Sequence, residues 1–402
     1  MSSPDQTIFQ PGGGESWRDP FPMYEALREH DPVHRVPDNG EGQDYWVLSR
    51  FQDVFAAAVD AGTFSSASGL TFAYGDMEKL GLESPIVMMD PPEHTSLRKL
   101  AIKQFTPRQV RALEPMVREF VVERVEKMRE MGEADIVEEL FKPLPSLVVA
   151  HFLGVPREDR ALFDRWTQST VAANAQGDVL NAQEAVGEMV AYFSGLIEER
   201  RSAPKDDMLS ALVHGKLGNG EAVSMAKMIG MGFTMVTGGN DTVTGLLGGS
   251  AELLTQYPEV RARLREDATQ LPRAIEEFLR LTSPVQGLTR TLTRDVEIEG
   301  VAIPEGRKVL LLYGSANRDE SEFGPDAASC DPSRKIRRHL TFSYGPHFCI
   351  GAAAARLETT IALEELLARC PEFSVDPERG RYAGGAFTRR YESLPFSAVG
   401  HA

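Results

Sequence analysis

The chain has 402 residues, of which 42% are apolar, 8% aromatic and 25% charged, which excludes a membrane bundle and a disordered chain. Its 35 glycines and 25 prolines are close to ordinary usage and exclude collagen-like or low-complexity architecture. A formal charge of −16 repels phosphate backbones and anionic lipid, so no nucleic acid and no membrane surface is expected as partner.

At about 150 residues per domain the length alone suggests two or three domains. No linker and no internal repeat divides the sequence, however, and one integrated domain over residues 1–402 is expected. The start, Met1-Ser2-Ser3-Pro4-Asp5, has neither a basic nor an apolar run, so no leader or anchor is predicted. Three cysteines, Cys330, Cys349 and Cys370, form no CxxC pair, which points to a reducing compartment, the cytoplasm, and away from a zinc cluster.

The first 60 or so residues mix a helical pattern around Pro22–Arg28 with a strand-like run, Tyr45-Trp46-Val47-Leu48. From Thr106 to about residue 282 apolar residues recur at helical spacing, as in Leu113, Met116, Val117, Phe120, Val121 and Val125. Strand and turn signals return at Val296–Gly306 and at Val309–Tyr313, predicting a small sheet after the helices. Residues 350–369 read as an Ala-rich amphipathic helix, and the tail from Phe373 to Val399 as short strand-like pieces. The fold class is therefore mostly α with a minor β region. No GxGxxG, GxxxxGK[ST], HExxH or GxSxG occurs, so Rossmann, P-loop, zincin and serine-hydrolase chemistries lack their local signatures.

The turn-rich loop Phe342-Ser343-Tyr344-Gly345-Pro346-His347-Phe348-Cys349-Ile350-Gly351 delivers Cys349 to the start of the helix that begins near Gly351. Backbone N–H donors and the positive end of the helix dipole favour a thiolate there and suit it to metal ligation. Cys370 lies at the opposite end of the same helix, and Cys330 has no comparable setting. From composition alone the leading reading of a lone cysteine is a small buried hydrophobe. A second feature is Gly238-Gly239-Asn240-Asp241-Thr242 inside the apolar stretch Met228–Leu254. Each helical glycine costs about 1 kcal/mol relative to alanine. Close helix packing accounts for them, and so does a helix that crosses a flat cofactor with Asp241 and Thr242 at a locally opened turn. A third is Glu277-Phe278-Leu279-Arg280, an acid and an arginine at i, i+3, which alone reads as a surface ion pair.

Taken together, Phe342, Gly345, His347, Cys349 and Gly351 resemble the cysteine loop of the cytochrome P450 family, with Ser343 where that family usually has glycine. Asp241 and Thr242 are similar to its distal-helix acid–alcohol pair, with Val243 where a second hydroxyl residue is common, and Glu277 and Arg280 to its Glu-x-x-Arg pair. The resemblance runs from about Trp17 to Val399, and stretches such as Val236–Gly245 and Leu281–Leu288 are similar to a mycobacterial branch of the family. It implies a triangular helical prism around haem b (iron protoporphyrin IX), with Cys349 as the iron ligand. It also implies His94, Arg98, Arg290 and His347 as partners of the haem carboxylates, and Arg334 as the third member of a structural cluster with Glu277 and Arg280. The implied activity is that of a monooxygenase, in which the thiolate donates electron density that favours O–O cleavage and one oxygen atom enters a lipophilic small molecule.

Substrate walls carried over by position are Phe72, Tyr74, Thr234, Gly238, Val285, Leu288 and Phe387. The implied electron donor is a ferredoxin with its reductase. Basic residues gather at Arg334–His339 and at Arg98, Lys99, Lys103, Arg108 and Arg111, a surface expected to steer an acidic donor. A non-catalytic haem sensor or carrier, the alternative reading, keeps Cys349 but has no need of Asp241 and Thr242.

Overall fold

The computed structural model describes residues 9–38, 44–72, 74, 83–176 and 183–399. The Met1–Asp5 segment lies outside them, as do residues 177–182 within the predicted helical stretch.

Helices dominate the middle of the chain, as the periodicity predicts. A central helix, Met225–Gln256, starts where Ser224 accepts a hydrogen bond from the Lys227 N–H, and runs through the largest apolar cluster. Helices Pro143–Leu153, Arg160–Gln176, Gln183–Ser202 and Leu271–Thr282 pack on it, as does the Cys-loop helix Ala352–Arg369. Among the described residues no helix is long and apolar enough to cross a membrane.

Of the β regions read separately from the sequence, Tyr45–Leu48 and the run from Val309 join one sheet, whereas Val296–Ile298 and Val301–Ile303 form a two-stranded sheet of their own. Strands β1 (Val33–Val36), β2 (Tyr45–Leu48), β3 (Phe64–Ser65), β5 (Leu288–Leu292) and β8 (Lys308–Leu311) are ordered β1-β2-β8-β5-β3. The parallel pairing of β2 with β8, Trp46 opposite Val309, closes the N-terminal region onto residues about 260 positions away. Parallel pairing needs a crossover, and local sequence patterns carry no signal for a partner this remote. The remaining strands include β4 (Glu133–Asp135), β9 (Ser374–Val375), β10 (Arg381–Tyr382), β11 (Tyr391–Ser393) and β12 (Pro395–Ser397), which seat the tail against the helices.

The glycines of the central helix divide between the two readings. A Cβ on Gly245 would stand 2.7 Å from the Arg389 carbonyl oxygen, so the tail lies directly on the helix there and only glycine admits it. A Cβ on Gly238 meets no atom within 4 Å. The locally opened turn expected at Gly238–Thr242 is absent and the helix is continuous. Thr234, Thr237 and Thr242 donate their hydroxyls, and Asn240 its amide, to carbonyls four residues back, which satisfies these groups without breaking the ladder.

One core group is out of place for a core. Glu358 of the Cys-loop helix is buried, its Oε2 has no partner, and desolvation pushes its pKa from 4.5 up to about 8. The folded state therefore holds the proton more tightly than the unfolded chain. Its contribution to stability is complete below pH 4.5 and declines as the pH rises through about 8. Glu358→Gln is expected to remove that alkaline decline, which denaturant titrations at pH 6 and pH 9 would measure.

Candidate active site

The Cys loop is built on two left-handed residues. Ser343, at the family's glycine position, has φ 55° and is held by its N–H on the Leu340 carbonyl (2.8 Å) and by the Tyr313 hydroxyl on its Oγ (3.3 Å). The turn geometry is thus kept without glycine. Gly345 has φ 69°, and a Cβ there would stand 2.8 Å from the Ala58 carbonyl oxygen, so the loop presses on the end of helix Phe51–Val59. Cys349 N–H donates to the Phe342 carbonyl (2.9 Å), and Gly351 caps the helix that follows.

The Cys349 side chain is accessible, and the protein around it desolvates its sulfur. Burial pushes the thiol up. The N–H groups of Gly351 and Ala352 and the Arg98 and Arg356 guanidiniums pull it down, without prevailing. Burial sets the direction, and the helix N-terminus acts against it.

Beside the sulfur lie two imidazoles and two guanidiniums. The His94 and His347 rings stand 4.2 Å apart, and His347 Nε2 is 3.2 Å from the Ser66 hydroxyl. Desolvation first, then Arg98, lowers His94 to about 4. Desolvation, then Arg290 with His94 and Arg98, lowers His347 to about 3. Arg290 is buried and donates to the Thr289 carbonyl (2.8 Å); Arg98 donates to the Phe348 carbonyl. Neither guanidinium has a carboxylate partner among the described residues, and the buried Nδ1 of His94 has no partner at all. Two uncompensated guanidiniums and an orphaned ring nitrogen fit a ligand that carries carboxylates.

Glu277, Arg280 and Arg334 come together at the other side of the loop. Glu277 accepts from Arg280 at 2.7 Å and from Arg334 at 3.2 Å, and also from the Asp331 N–H at 3.0 Å. Arg280 extends to the Asn317 and Ala327 carbonyls. Not a surface pair, as the spacing alone suggested, the cluster is buried and staples helix Leu271–Thr282 to the segment before the Cys loop.

On the central helix, Thr234, Gly238 and Thr242 stand at i, i+4 and i+8 on one face, the face on which Gly238 is open. Asp241 turns away from it and pairs with Arg390 at 2.6 Å. Desolvation raises Asp241 to about 6, against the pull of Arg390.

The remaining positions divide. Phe72 stacks on Phe387 with centroids 5.0 Å apart, and the Gln286 N–H donates to the Phe387 carbonyl at 2.7 Å. The 285–288 segment and the tail are thereby joined, with Val285 bridged to Thr388 and Leu288 opening β5. The Tyr74 hydroxyl is held by two backbone groups, the Asp44 carbonyl and the Lys308 N–H, both at 2.9 Å. Of the basic run, Lys335 and Arg337 are exposed, but Arg338 pairs with Glu322 and lies over Phe55, and His339 is buried against Glu276. Arg338 therefore does not join the cationic surface. Arg356 and Arg390 escaped the sequence reading because each sits in an ordinary charged pattern, and their roles depend on partners 80 and about 150 positions away.

An accessible sulfur that meets the N–H groups of Gly351 and Ala352 and lies near guanidiniums without carboxylate partners fits an iron chelate that carries carboxylates. Site and helical fold define a haem-thiolate protein. The cytochrome P450 family model matches residues 18–382, and the chain belongs to that family. It is 58% identical over 401 residues to cytochrome P450 130 of Mycobacterium tuberculosis, covering 98% of this chain and 99% of that one. The solved structure of the polyketide synthase cytochrome P450 PksS of Bacillus subtilis superposes with TM-score 0.88 at 31% identity, covering 98% of this chain and 100% of that one. The CYP109E1 structure of Bacillus megaterium, in complex with testosterone, does so with TM-score 0.83 at 30% identity, covering 94% and 99%. The protein is a monooxygenase of this family, and its cofactor is haem b.

Proposed function

We propose that the protein inserts one oxygen atom of O2 into a lipophilic small molecule, using electrons from a ferredoxin-type donor in the cytoplasm, and that residues 1–402 work as one domain. The haem supplies reductive activation of O2 when bound. Cys349 would hold the iron, with Phe342, Gly345 and Gly351 shaping the loop around it. His94, Arg98, Arg290 and His347 would hold the carboxylates, while Glu277, Arg280 and Arg334 keep the loop in place. Thr242 orders water on the open face of the central helix, and Asp241 brings protons to it. The substrate is held by Phe72, Val285, Leu288 and Phe387, with Tyr74, Thr234 and Gly238 completing the wall. The mostly apolar character of these groups supports a lipophilic substrate, as does the steroid in the CYP109E1 neighbour. The observation that carries the reading is the shared face of Thr234, Gly238 and Thr242, which a haem carrier does not need.

The donor surface is the side nearest the Cys loop. Phe348 and Ile102 are exposed there, and Lys99, Lys103, Arg108 and Arg111 are exposed on the adjoining segment. These charges act on encounter, since exposed charges are screened over about 8 Å at physiological salt. Reduction by an acidic ferredoxin is expected to slow steeply with salt, and Lys103→Glu with Arg337→Glu to flatten that dependence. Stopped-flow reduction at several ionic strengths reads it, and an unchanged rate and salt slope would place the donor elsewhere. Soret shifts across a panel of lipophilic compounds test the substrate class. No shift with any of them would count against it.

A further inference from the structure

Residues 13–18, just before helix Phe21–His30, form a strap across the tail hairpin of β10 and β11. The strap is one turn of 3₁₀ helix, Gly14–Trp17, closed by Ser16, whose Oγ accepts from the Gly13 N–H at 2.8 Å and donates to the Gly13 carbonyl at 2.9 Å. From this turn the Gly14 N–H reaches the Ala383 carbonyl at 3.0 Å, and the Trp17 Nε1–H reaches the Gly385 carbonyl at 3.0 Å. The Glu15 carboxylate accepts from the Tyr382 N–H at 3.4 Å. Arg18 donates to the Pro377 and Gly380 carbonyls, and Arg389 Nε returns a bond to the Trp17 carbonyl at 2.7 Å.

The loop between the two strands of the hairpin carries Phe387 and is held from two sides. On one side the Gln286 N–H binds the Phe387 carbonyl, the Arg389 N–H binds the Pro284 carbonyl at 2.8 Å, and the Phe387 ring lies on Phe72. On the other side is Trp17, whose ring is buried in the largest apolar cluster, so its N–H is a fixed point. Between Trp17 and Phe387 the loop runs through Gly384 and Gly385, with Gly385 at φ 99°. Two consecutive glycines give this limb little stiffness of its own, and its position comes from its hydrogen bonds. Phe387 is two residues beyond the carbonyl that Trp17 holds, so a shift at Gly385 carries to the ring.

We propose that this strap sets the tail side of the substrate wall, with Trp17 as a positioning residue that fixes Phe387 and thereby the fit of a lipophilic ligand. The inference rests on the proposed place of Phe387 in that wall. Trp17 acts through Gly385 and is not itself part of the wall. With the Nε1–H bond made, the glycine limb is pinned and Phe387 stays stacked on Phe72. Without it, the limb is held from one side only and the ring leaves its place against the ligand. Glu15 and Arg18 hold the same hairpin nearer its base and support the strap.

Two probes separate the wall from the haem: imidazole, which carries no apolar arm, and 1-dodecylimidazole, the same head on a long alkyl chain. Both are titrated into the holoenzyme by the Soret shift they cause. Trp17→Phe keeps an aromatic ring in the core and removes only the N–H donor. It is expected to weaken 1-dodecylimidazole about 3- to 10-fold, the effect of one hydrogen bond, and to leave imidazole unchanged. Phe387→Ala is expected to weaken the same probe, and Trp17→Phe to add nothing in that background, because both changes act on one contact. Arg18→Gln, a half-buried position outside the core, should move the affinity in the same direction by less. Equal losses for both probes in Trp17→Phe, or losses that add fully to those of Phe387→Ala, would mean a general structural role and overturn the proposal. An unchanged 1-dodecylimidazole affinity in Trp17→Phe while Phe387→Ala weakens it would overturn the strap and leave the wall standing. If Phe387→Ala itself changes nothing, the wall reading fails and the inference falls with it.

Discussion

Glu277→Ala is expected to cost about 3–5 kcal/mol, the usual consequence of leaving a buried cation without its partner. The carboxylate receives two guanidiniums and a backbone N–H, and Arg280 has no route to water. After the substitution Arg280 keeps only carbonyl oxygens, those of Asn317 and Ala327 among them. The staple between helix Leu271–Thr282 and the segment before the Cys loop is lost, so haem retention should fall together with thermal stability. Glu277→Gln preserves shape but not charge and belongs between wild type and alanine. Arg118 with Glu364, a partly exposed pair, provides the comparison, since Glu364→Ala should cost no more than about 1 kcal/mol. Denaturant melts of the four proteins test the ordering.

Thr242→Ala is expected to leave the absorption spectrum and the rate of first reduction unchanged while product per electron pair falls roughly 10- to 100-fold and hydrogen peroxide rises in proportion. The hydroxyl donates to the Gly238 carbonyl at 2.8 Å, on the face where the helix is open, and contributes little packing. Its loss removes a fixed hydroxyl oxygen that accepts from water, without disturbing the fold. Thr242→Ser should recover most of the coupling. Unchanged stoichiometry between reductant consumed and product formed in Thr242→Ala would remove the residue from proton delivery.

What the sequence disclosed was local. The helix-period pattern around Val117–Val125 and the Ala-rich run after Gly351 correspond to helices Glu114–Met131 and Ala352–Arg369. The loop from Phe342 to Gly351 and the acid–alcohol pair were legible because their residues are contiguous. Pairings across long separations were not. The parallel match of β2 to β8, the tail seated on Gly245 and the Arg390–Asp241 ion pair join segments about 150 to 260 positions apart, and no short-range pattern encodes such partners. Burial was equally hidden: Arg280 and Glu277 look like a solvated i, i+3 pair until neighbouring elements cover them. Ser343 shows the limit in the other direction, since a left-handed turn that a glycine would have announced is held here by hydrogen bonds to a serine.

The central claim is that Cys349 is the sulfur that meets the iron, and the reduced carbon monoxide difference spectrum tests it most directly. Wild type, Cys330→Ser and Cys370→Ser are expected to show the long-wavelength Soret band that gives the family its name, and Cys349→Ser to lose it while the fold, monitored by circular dichroism, persists. Retention of that band in Cys349→Ser, or its loss in either of the other two variants with the fold intact, would contradict the account.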